Sequence, residues 1–454
     1  MAELVRSVSG IRGIWSESLF PTTVVKYAAG FGTYVKGGKI ILGRDTRLTG
    51  DALRYVCIAG LLSVGCEIID IGICPTPTCQ LNVKELKADG GVIITASHNP
   101  GQWNGLKFVN AAGEFLDQEN HDELIDIIDH NKTSYCSFSQ IKTFHENKNL
   151  NEQAIKNHIN KICNYIDVDV IRGKGFKVVV DACNGAGSTL IIPLLQELGC
   201  QIIKLNCEEN GIFPRQPEPT AGNLTELCAF VKKEKTDIGF AVDPDADRLS
   251  IISERGEALG EEMTLPLVAQ HVLKKKGGVT VTNLSTSMAI DYVAKQLNTK
   301  VIRTKIGEAH VVSAMKKHQC YVGGEGNGGV IVPEIQYARD SGVGIGIILD
   351  MLANTGKTLS YLASQIPNYY LVKKKINYPS NYVPIIIEHF QKKYSDVEID
   401  RTDGIKMIWN DLWLHIRKSG TEDILRILAE ATTLEKAELM VDETIKSIYS
   451  LINK

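Results

Sequence analysis

The chain of 454 residues is 44% hydrophobic and 23% charged, with a formal net charge of −3. This length exceeds what one hydrophobic core serves, so we expect three or four domains, and the small negative charge argues against a nucleic-acid-binding surface. No run approaches the roughly 18 apolar residues of a membrane span, the N-terminus lacks a secretory signal pattern, and the eleven cysteines include no C-x-x-C pair. We therefore expect free thiols, a cytoplasmic location, and no nucleic-acid or membrane partner.

A strand, helix and strand pattern recurs three times along the chain. The first apolar run of each repeat begins with glycine and covers residues 38–42, 175–180 or 278–281. Each run leads through a helical stretch to a second apolar run, which predicts a βαβ unit in a parallel sheet. Three similar α/β domains are therefore expected, followed by a C-terminal α+β unit that ends in a helix over residues 434–451.

The predicted domain boundaries follow polar segments and the ends of these repeats. Residues 130–153 are rich in Asn, Lys and Ser, which is typical of a surface connection. We expect the first domain to end within this segment. We expect the second domain to end just after the acidic loop at residues 243–248. The four predicted domains cover residues 1–150, 151–252, 253–367 and 368–454.

A serine that could act as a nucleophile follows the buried run Gly91-Val92-Ile93-Ile94. The next residues are Thr95-Ala96-Ser97-His98-Asn99-Pro100, so Ser97 is expected in a loop at the end of a strand. Enzymes built on α/β sheets present reactive groups at such strand ends. An ordinary structural turn is the alternative, since Ser and Asn before Pro also form turns.

Three carboxylates stand two residues apart after the apolar run 238–242, in Asp243-Pro244-Asp245-Ala246-Asp247-Arg248. So much negative charge is costly without a cation, and oxygen ligands of this kind suit a hard divalent ion. A calcium loop of the EF-hand type is the alternative, and Glu254 does fall at its twelfth position. However, the sixth position is Arg248 instead of glycine, and residues 249–252 predict a strand.

The segment Arg417-Lys418-Ser419-Gly420-Thr421-Glu422 combines cationic groups, hydroxyls and a glycine in one loop. Charge-assisted hydrogen bonds and open backbone N–H groups would hold a phosphate there. The alternative is a helix N-terminus capped by Ser419 or Thr421, which would itself favour an anion.

In this order, these three stretches resemble the α-D-phosphohexomutase family. The family's serine motif continues as Asn-Gly-x-Lys, found at residues 104–107, and its Ser-Gly-Ile-Arg-Gly loop is found at residues 9–13. Its sugar loop, usually Gly-Glu-x-Ser-Gly-His, has the form Gly-Glu-Gly-Asn-Gly-Gly at residues 324–329, and Asp423 replaces the usual proline of the phosphate loop. The resemblance implies three α/β domains with mixed sheets and a C-terminal α+β domain around a central cleft.

The resemblance also implies a role for each loop. Ser97 would carry a phosphoryl group, and Asp243, Asp245 and Asp247 with an oxygen of that phosphoserine would bind Mg²⁺. The other expected site residues move protons or bind the substrate. They are Arg12, His98 and Lys107 in the cleft, Arg248, Gly307, Glu308, Glu325 and Asn327 near the sugar, and Arg417, Ser419, Gly420 and Thr421 around the phosphate that does not react.

The implied reaction interconverts glucosamine 6-phosphate and glucosamine 1-phosphate through a 1,6-bisphosphate, with glucose or glucosamine 1,6-bisphosphate as activator. A phosphomannomutase/phosphoglucomutase is the alternative, because the sugar-loop contacts address hydroxyls shared by several hexose phosphates. A noncatalytic sugar-phosphate-binding protein and a metal-dependent phosphatase also stay open. At single residues, Arg12 could be a surface arginine, Lys107 a charge partner only, and residues 307–308 a solvated turn.

Overall fold

The computed structural model describes residues 3–378, 382–419 and 424–452 of the chain. Twenty strands and fifteen α-helices lie in these ranges, and the strands form four separate sheets. Three short 3₁₀ helices cover Phe138–Gln140, Ala221–Asn223 and Glu261–Met263. Within the described ranges, every helix is too short or too polar to cross a membrane.

The first sheet has seven strands in the order β1-β2-β6-β5-β3-β4-β7. The strands are β1 (Val5–Ser7), β2 (Gly10–Ile14), β3 (Lys39–Arg44), β4 (Glu67–Ile73), β5 (Gly90–Ile94), β6 (Trp103–Asn110) and β7 (Phe144–Glu146). The helices of this part are α1 (Pro21–Tyr34), α2 (Gly50–Ser63), α3 (Thr76–Glu85) and α4 (Gln118–Asp129). Every residue of β5 is buried, as expected for a central strand covered on both faces.

The second sheet has four strands in the order β11-β10-β8-β9. The strands are β8 (Lys177–Asp181), β9 (Gln201–Leu205), β10 (Ile238–Val242) and β11 (Leu249–Ser253). The helices from the end of the first sheet to this point are α5 (Lys148–Cys163), α6 (Val168–Arg172), α7 (Gly187–Glu197) and α8 (Thr225–Glu234). Strands β10 and β11 are buried throughout, which places the turn between them against the protein interior.

The third sheet has the order β13-β12-β14-β15. Its strands are β12 (Thr280–Asn283), β13 (Val301–Thr304), β14 (Val322–Glu325) and β15 (Gly329–Ile331). The helices are α9 (Thr264–Lys276), α10 (Ala289–Gln296), α11 (Glu308–His318), α12 (Ser341–Thr355) and α13 (Leu359–Ser364). Helix α12 is buried along nearly its whole length and belongs to the large apolar core that joins the first three sheets.

The fourth sheet is antiparallel throughout, in the order β16-β20-β19-β18-β17. Its strands are β16 (Tyr370–Asn377), β17 (Glu398–Asp400), β18 (Ile405–Ile408), β19 (Leu412–Lys418) and β20 (Ile424–Ala431). The helices are α14 (Val383–Lys393) and α15 (Leu434–Ile452). The sheet and its helices enclose a separate apolar core, so this part is the expected α+β unit.

The three mixed sheets share one four-stranded plan, which confirms the predicted fold class. In each, the first strand lies between the second and the third, all three are parallel, and the fourth pairs antiparallel with the third. The turn from the third to the fourth strand therefore lies at the carboxyl ends of the parallel strands. Ligands bind at this edge in open α/β sheets.

The segment 130–153 has more regular structure than its composition predicts. Most of its side chains are exposed, as expected of a surface connection. However, β7 lies within it and pairs in parallel with β4, and α5 begins at Lys148. Phe144 packs against an apolar cluster of the first domain that includes Ile40 and Ile68. This contact explains why the polar segment adds a strand to the sheet.

Candidate active site

The site is built from equivalent turns of the three mixed sheets. Ser97 lies between β5 and β6, the aspartates lie between β10 and β11, and Glu325 begins the turn between β14 and β15. Because all three turns extend from the same edge of the shared plan, their side chains can meet. The structure brings them together in one cluster.

Ser97 is almost fully buried and has a left-handed backbone, with φ +49°. A serine rarely adopts this conformation, which costs on the order of 1–3 kcal/mol. Its N–H donates to Thr95 Oγ1 at 2.9 Å, and Arg47 Nη2 donates to its carbonyl oxygen at 2.6 Å. These bonds hold the serine hydroxyl toward the acidic turn, so the predicted loop is a strained and tightly supported one.

The carboxylates of Asp243, Asp245 and Asp247 are fully buried, and each offers an oxygen within 4.8 Å of the others. Ser97 Oγ donates to Asp243 Oδ2 at 2.9 Å. Lys107 Nζ donates to Asp245 Oδ2 at 2.6 Å and to Asp247 Oδ2 at 3.3 Å. The residues that follow form strand β11 instead of a calcium loop and helix, so the EF-hand alternative is wrong.

The three carboxylates do not share one electrostatic environment. Burial and the charges of Asp245 and Asp247 raise the pKa of Asp243 well above its usual value. Burial opposes ionisation of Asp247 as well, but Arg339 and Lys107 outweigh it and lower the pKa of Asp247. The Ser97 hydroxyl therefore contacts Asp243, the carboxylate of the three whose negative charge is least stabilised by its neighbours.

These residues fit a divalent cation. Asp245 Oδ1 and Asp247 Oδ1 are buried, and neither has a hydrogen-bond partner among the described residues. Buried polar atoms are normally satisfied, so these two carboxylate oxygens are suited to bind a cation. An all-oxygen donor set of this kind suits Mg²⁺.

The sugar-loop residues form a second acidic cluster beside the first. Glu325 Oε1 accepts hydrogen bonds from Asn283 Nδ2 at 2.9 Å and from the N–H of Gly307 at 3.1 Å. Asn327 Nδ2 lies 3.4 Å from Glu325 Oε2. Burial raises the pKa of Glu308, at the start of α11, to about 7. Gly307 and Glu308 are thus part of the cluster and do not form a solvated turn.

Arginines surround the rest of this cluster. Arg12, on β2, donates to Asn99 Oδ1 at 3.2 Å, and Arg248 donates to Glu218 Oε1 at 2.7 Å. Burial lowers the pKa of Arg12, and the charge of Asp245 opposes this effect, which places Arg12 beside the acidic turn. Burial and the charges of Arg248 and Arg12 hold the pKa of His98 well below its usual value. His98 Nδ1 lies 3.4 Å from Ser97 Oγ.

The phosphate loop joins β19 and β20, which form a hairpin. Arg417 is half-buried near the end of β19, and the N–H of Ser419 donates to the carbonyl oxygen of Ile424 at 2.9 Å. Gly420 and Thr421 lie outside the described residues. The segment that follows is a strand, so the predicted alternative of a helix N-terminus is wrong. Its residues alternate between partly and fully buried over 424–427, which is the two-residue period of a strand.

The fourth domain contacts the third close to the sugar loop. His415 Nδ1 lies 2.9 Å from Ser285 Oγ, and Lys406 Nζ donates to the carbonyl oxygen of Leu284 at 2.7 Å. Burial lowers the pKa of Arg417, while the charges of Asp403 and Glu325 oppose this effect. Arg417 therefore lies on the side of the fourth domain that faces the sugar loop, and its role at a phosphate stays a prediction.

Sequence inspection missed several residues of the site. Arg339 donates to Asp247 of the acidic turn and to Glu325 of the sugar loop. Asp45 and Arg47 follow β3 and support the Ser97 loop, and Thr76 Oγ1 donates to Asp245 Oδ2 at 2.7 Å. The polar run after β3 was the available signal for Asp45 and Arg47, because it too lies at the carboxyl end of a parallel strand.

Four consecutive parts of the sequence match family models described as phosphoglucomutase/phosphomannomutase domains. Residues 4–135, 156–256 and 261–370 match alpha/beta/alpha domains I, II and III of this description, and residues 387–447 match its C-terminal domain. The four matches follow the order of the four sheets and cover most of the chain.

Similar proteins extend over almost the full length. The chain is 39% identical to a protein of Thermococcus kodakarensis named "Phosphoglucomutase/phosphomannomutase", with 96% of each chain covered. It is 35% identical to a Methanopyrus kandleri protein named "Probable phosphoglucosamine mutase", with 98% of each covered. A solved structure of a phosphoglucomutase/phosphomannomutase family protein from Burkholderia thailandensis has the same fold, with a TM-score of 0.85 at 22% identity over 99% of this chain and 97% of that one.

Proposed function

The chain belongs to the phosphoglucomutase/phosphomannomutase family, the α-D-phosphohexomutases, and we propose that this phosphohexomutase interconverts glucosamine 6-phosphate and glucosamine 1-phosphate. The single observation that carries the proposed mechanism is the 2.9 Å hydrogen bond from Ser97 Oγ to Asp243 Oδ2 inside a buried cluster of charged groups. That contact joins the nucleophile turn of one domain to the acidic turn of the next.

In the proposed mechanism, Ser97 is phosphorylated in the active enzyme. The modification adds roughly −1.5 to −2 charges at neutral pH, beside three carboxylates. Asp243, Asp245, Asp247 and a phosphoserine oxygen would hold Mg²⁺, through the two orphaned carboxylate oxygens among others. When bound there, the ion would offset negative charge and polarise the phosphoryl group.

The phosphoryl group passes from Ser97 Oγ to the free hydroxyl of the sugar phosphate: the bond between Oγ and phosphorus breaks, Oγ takes up a proton, and the sugar hydroxyl loses one as its oxygen bonds to phosphorus. The resulting 1,6-bisphosphate reverses its orientation in the site. Its other phosphoryl group is then transferred to Ser97 Oγ. Two groups are placed to move these protons. Lys107 contacts the aspartates, and His98, kept neutral by its lowered pKa, lies beside Ser97 Oγ.

Binding is divided between the remaining loops. Glu325 and Asn327 would accept and donate hydrogen bonds to sugar hydroxyls, with Gly307 and Glu308 beside them. Arg12 and Arg248 would face the substrate from the first and second domains. The phosphate that does not react would be held by the loop of the fourth domain, namely Arg417, Ser419, Gly420 and Thr421.

The choice of glucosamine rests on the sugar loop and on named relatives. Its Gly-Glu-Gly-Asn-Gly-Gly form lacks the usual serine and histidine, and a relative 35% identical is named "Probable phosphoglucosamine mutase". A phosphomannomutase/phosphoglucomutase is the second candidate, because the 39% identical relative has that name. Ranking kcat/KM for glucosamine, glucose and mannose phosphates, with a 1,6-bisphosphate activator present, decides between them.

This assay also tests the mechanism. A tenfold ratio of kcat/KM between two sugar phosphates corresponds to a difference of about 1.4 kcal/mol in transition-state binding. One contact to the substituent at C2 of the sugar can therefore decide which substrate is preferred. Higher kcat/KM for glucose or mannose phosphate would overturn the glucosamine assignment alone. Release of inorganic phosphate without isomer formation would indicate a phosphatase, and sugar-phosphate binding without turnover would indicate a noncatalytic protein.

A further inference from the structure

Arg339 forms ion pairs with three separate parts of the site. Its Nη2 donates to Asp247 Oδ2 at 2.7 Å, its Nη1 to Glu325 Oε2 at 2.7 Å, and its Nε to Glu308 Oε2 at 2.9 Å. The side chain is buried, and a guanidinium group remains cationic in proteins. A planar guanidinium is the side chain best suited to three carboxylates at once.

The space for Arg339 comes from the unusual sugar loop. A Cβ atom built on Gly329 would lie 2.3 Å from Arg339 Cδ and 2.9 Å from its Cγ. Contacts this short do not occur, so any side chain at position 329 would displace the arginine. The absence of a side chain at Gly329 therefore leaves room for the Arg339 side chain beside the sugar loop.

The backbone around Arg339 is fixed by its neighbour. Asp340 caps helix α12 by accepting from the N–H of Val343 at 3.2 Å, and its Oδ2 lies 2.7 Å from Nε2 of the buried His158. The N–H of Asp340 donates to the carbonyl oxygen of Val330 on β15. These bonds hold the arginine in place before any ligand binds, which makes it a pre-organised group.

We infer that Arg339 is a positioning residue that sets the sugar-binding carboxylates and at the same time restrains the affinity of the aspartate cluster for its cation. The inference rests on the proposed function for the identity of the sugar and metal sites. Arg339 occupies one oxygen of Asp247 and adds a positive charge beside the metal ligands. Its removal should therefore strengthen cation binding while it weakens sugar binding.

These opposite signs separate positioning from a merely structural role, which would weaken both. The experiment compares wild type with Arg339→Met, using calorimetric titration with Mn²⁺ alone and steady-state kinetics with glucosamine 6-phosphate. We expect the Mn²⁺ dissociation constant of Arg339→Met to fall by about tenfold, as expected when a nearby like charge is removed. We expect KM to rise by at least about tenfold with a smaller change in kcat.

A second variant tests the inference in case Arg339→Met does not fold. Arg339→Lys keeps the charge but cannot span three carboxylates, so Mn²⁺ affinity should stay within about twofold of wild type while KM still rises. Arg255→Met is the matched control, because Arg255 is an exposed arginine outside the cluster, and both quantities should stay at wild-type values.

Weaker or unchanged Mn²⁺ binding in Arg339→Met, or a wild-type KM in Arg339→Lys, would overturn the inference. The Mn²⁺ titration does not depend on which sugar phosphate is turned over. A protein that shows the expected tightening but isomerises no sugar phosphate would therefore contradict the proposed function and leave the role of Arg339 at the metal site standing.

Discussion

Arg47 holds the carbonyl group of Ser97 at 2.6 Å and so fixes the backbone that presents the serine hydroxyl. The same guanidinium also donates to the carbonyl oxygens of Asn99, Pro100 and Trp103, while its Nε donates to Asp45 Oδ2 at 3.0 Å. Arg47 thus organises the whole turn around Ser97 without approaching the Ser97 hydroxyl.

Arg47→Lys should lower kcat by about 100-fold, because an ammonium group cannot satisfy four carbonyl oxygens and a small displacement of a reacting group is costly. Arg47→Met should also lower the free energy of unfolding by about 3–5 kcal/mol, since it leaves Asp45 buried and unpaired. Kinetics and urea unfolding measure the two effects. Wild-type kcat in Arg47→Lys would show that the turn keeps its shape without the arginine.

Substitutions at Ser97 should separate chemistry from backbone strain. Ser97→Ala and Ser97→Gly both remove the phosphoryl acceptor, so intact-mass analysis should show no added phosphate on this peptide and mutase activity should be lost. Because φ is +49°, glycine relieves the strain that alanine keeps. Ser97→Gly should therefore be more stable than Ser97→Ala by about 1 kcal/mol. Wild-type turnover in either variant would reject the nucleophile assignment.

Mg²⁺ should stabilise the folded protein as well as activate it. Binding of the cation to the three aspartates removes the repulsion among them, and a ligand at 100 times its dissociation constant adds about 2.7 kcal/mol. Chelation should therefore abolish activity and lower Tm, and added Mg²⁺ should restore both. Asp245→Asn should show a much smaller rise in Tm with Mg²⁺. An equal rise in that variant would place the cation elsewhere.

Acid should destabilise the contact between the third and fourth domains through His415. Burial lowers the pKa of this side chain from 6.5 to about 4. The unfolded chain therefore binds the proton more readily, so stability is complete above pH 6.5 and is lost as the pH falls toward 4. The loss from this group is at most about 3 kcal/mol.

Urea unfolding at pH 7 and pH 5 measures the His415 effect. His415→Gln should be less stable than wild type at pH 7 and should lose less stability between the two pH values. The matched control is His318→Gln, because His318 is exposed at the end of α11 and its replacement should leave the pH dependence unchanged. An identical pH dependence in wild type and His415→Gln would assign the acid sensitivity to other groups.

The sequence predicts those parts of the site that are contiguous in the chain. Ser97 and the three aspartates each follow an unbroken apolar run, and a run followed by polar residues identifies the carboxyl end of a buried strand. Four α/β and α+β units could be predicted for the same reason. The four domain boundaries and the individual site roles stay predictions.

Residues that act across domains could not be predicted in this way. Arg339 precedes a helix without any distinguishing pattern, and its partners are 14 to 92 positions away in the sequence. At the phosphate loop, the alternative of a helix N-terminus is wrong, because residues 424–431 form strand β20. Residues 424–431 form a strand because they pair with β16 on one side and β19 on the other.

The equivalent turns of the three mixed sheets have a consequence for how this enzyme can change. Each turn is anchored at both ends by strands whose register is set within its own domain, so a change in one turn need not alter the strands that carry the other two. Under the proposed function, exchange of residues 325–329 between relatives would change the sugar loop while Ser97 and the three aspartates are kept. Because Arg339 approaches Gly329 so closely, such an exchange must also include position 339, which lies outside the turn.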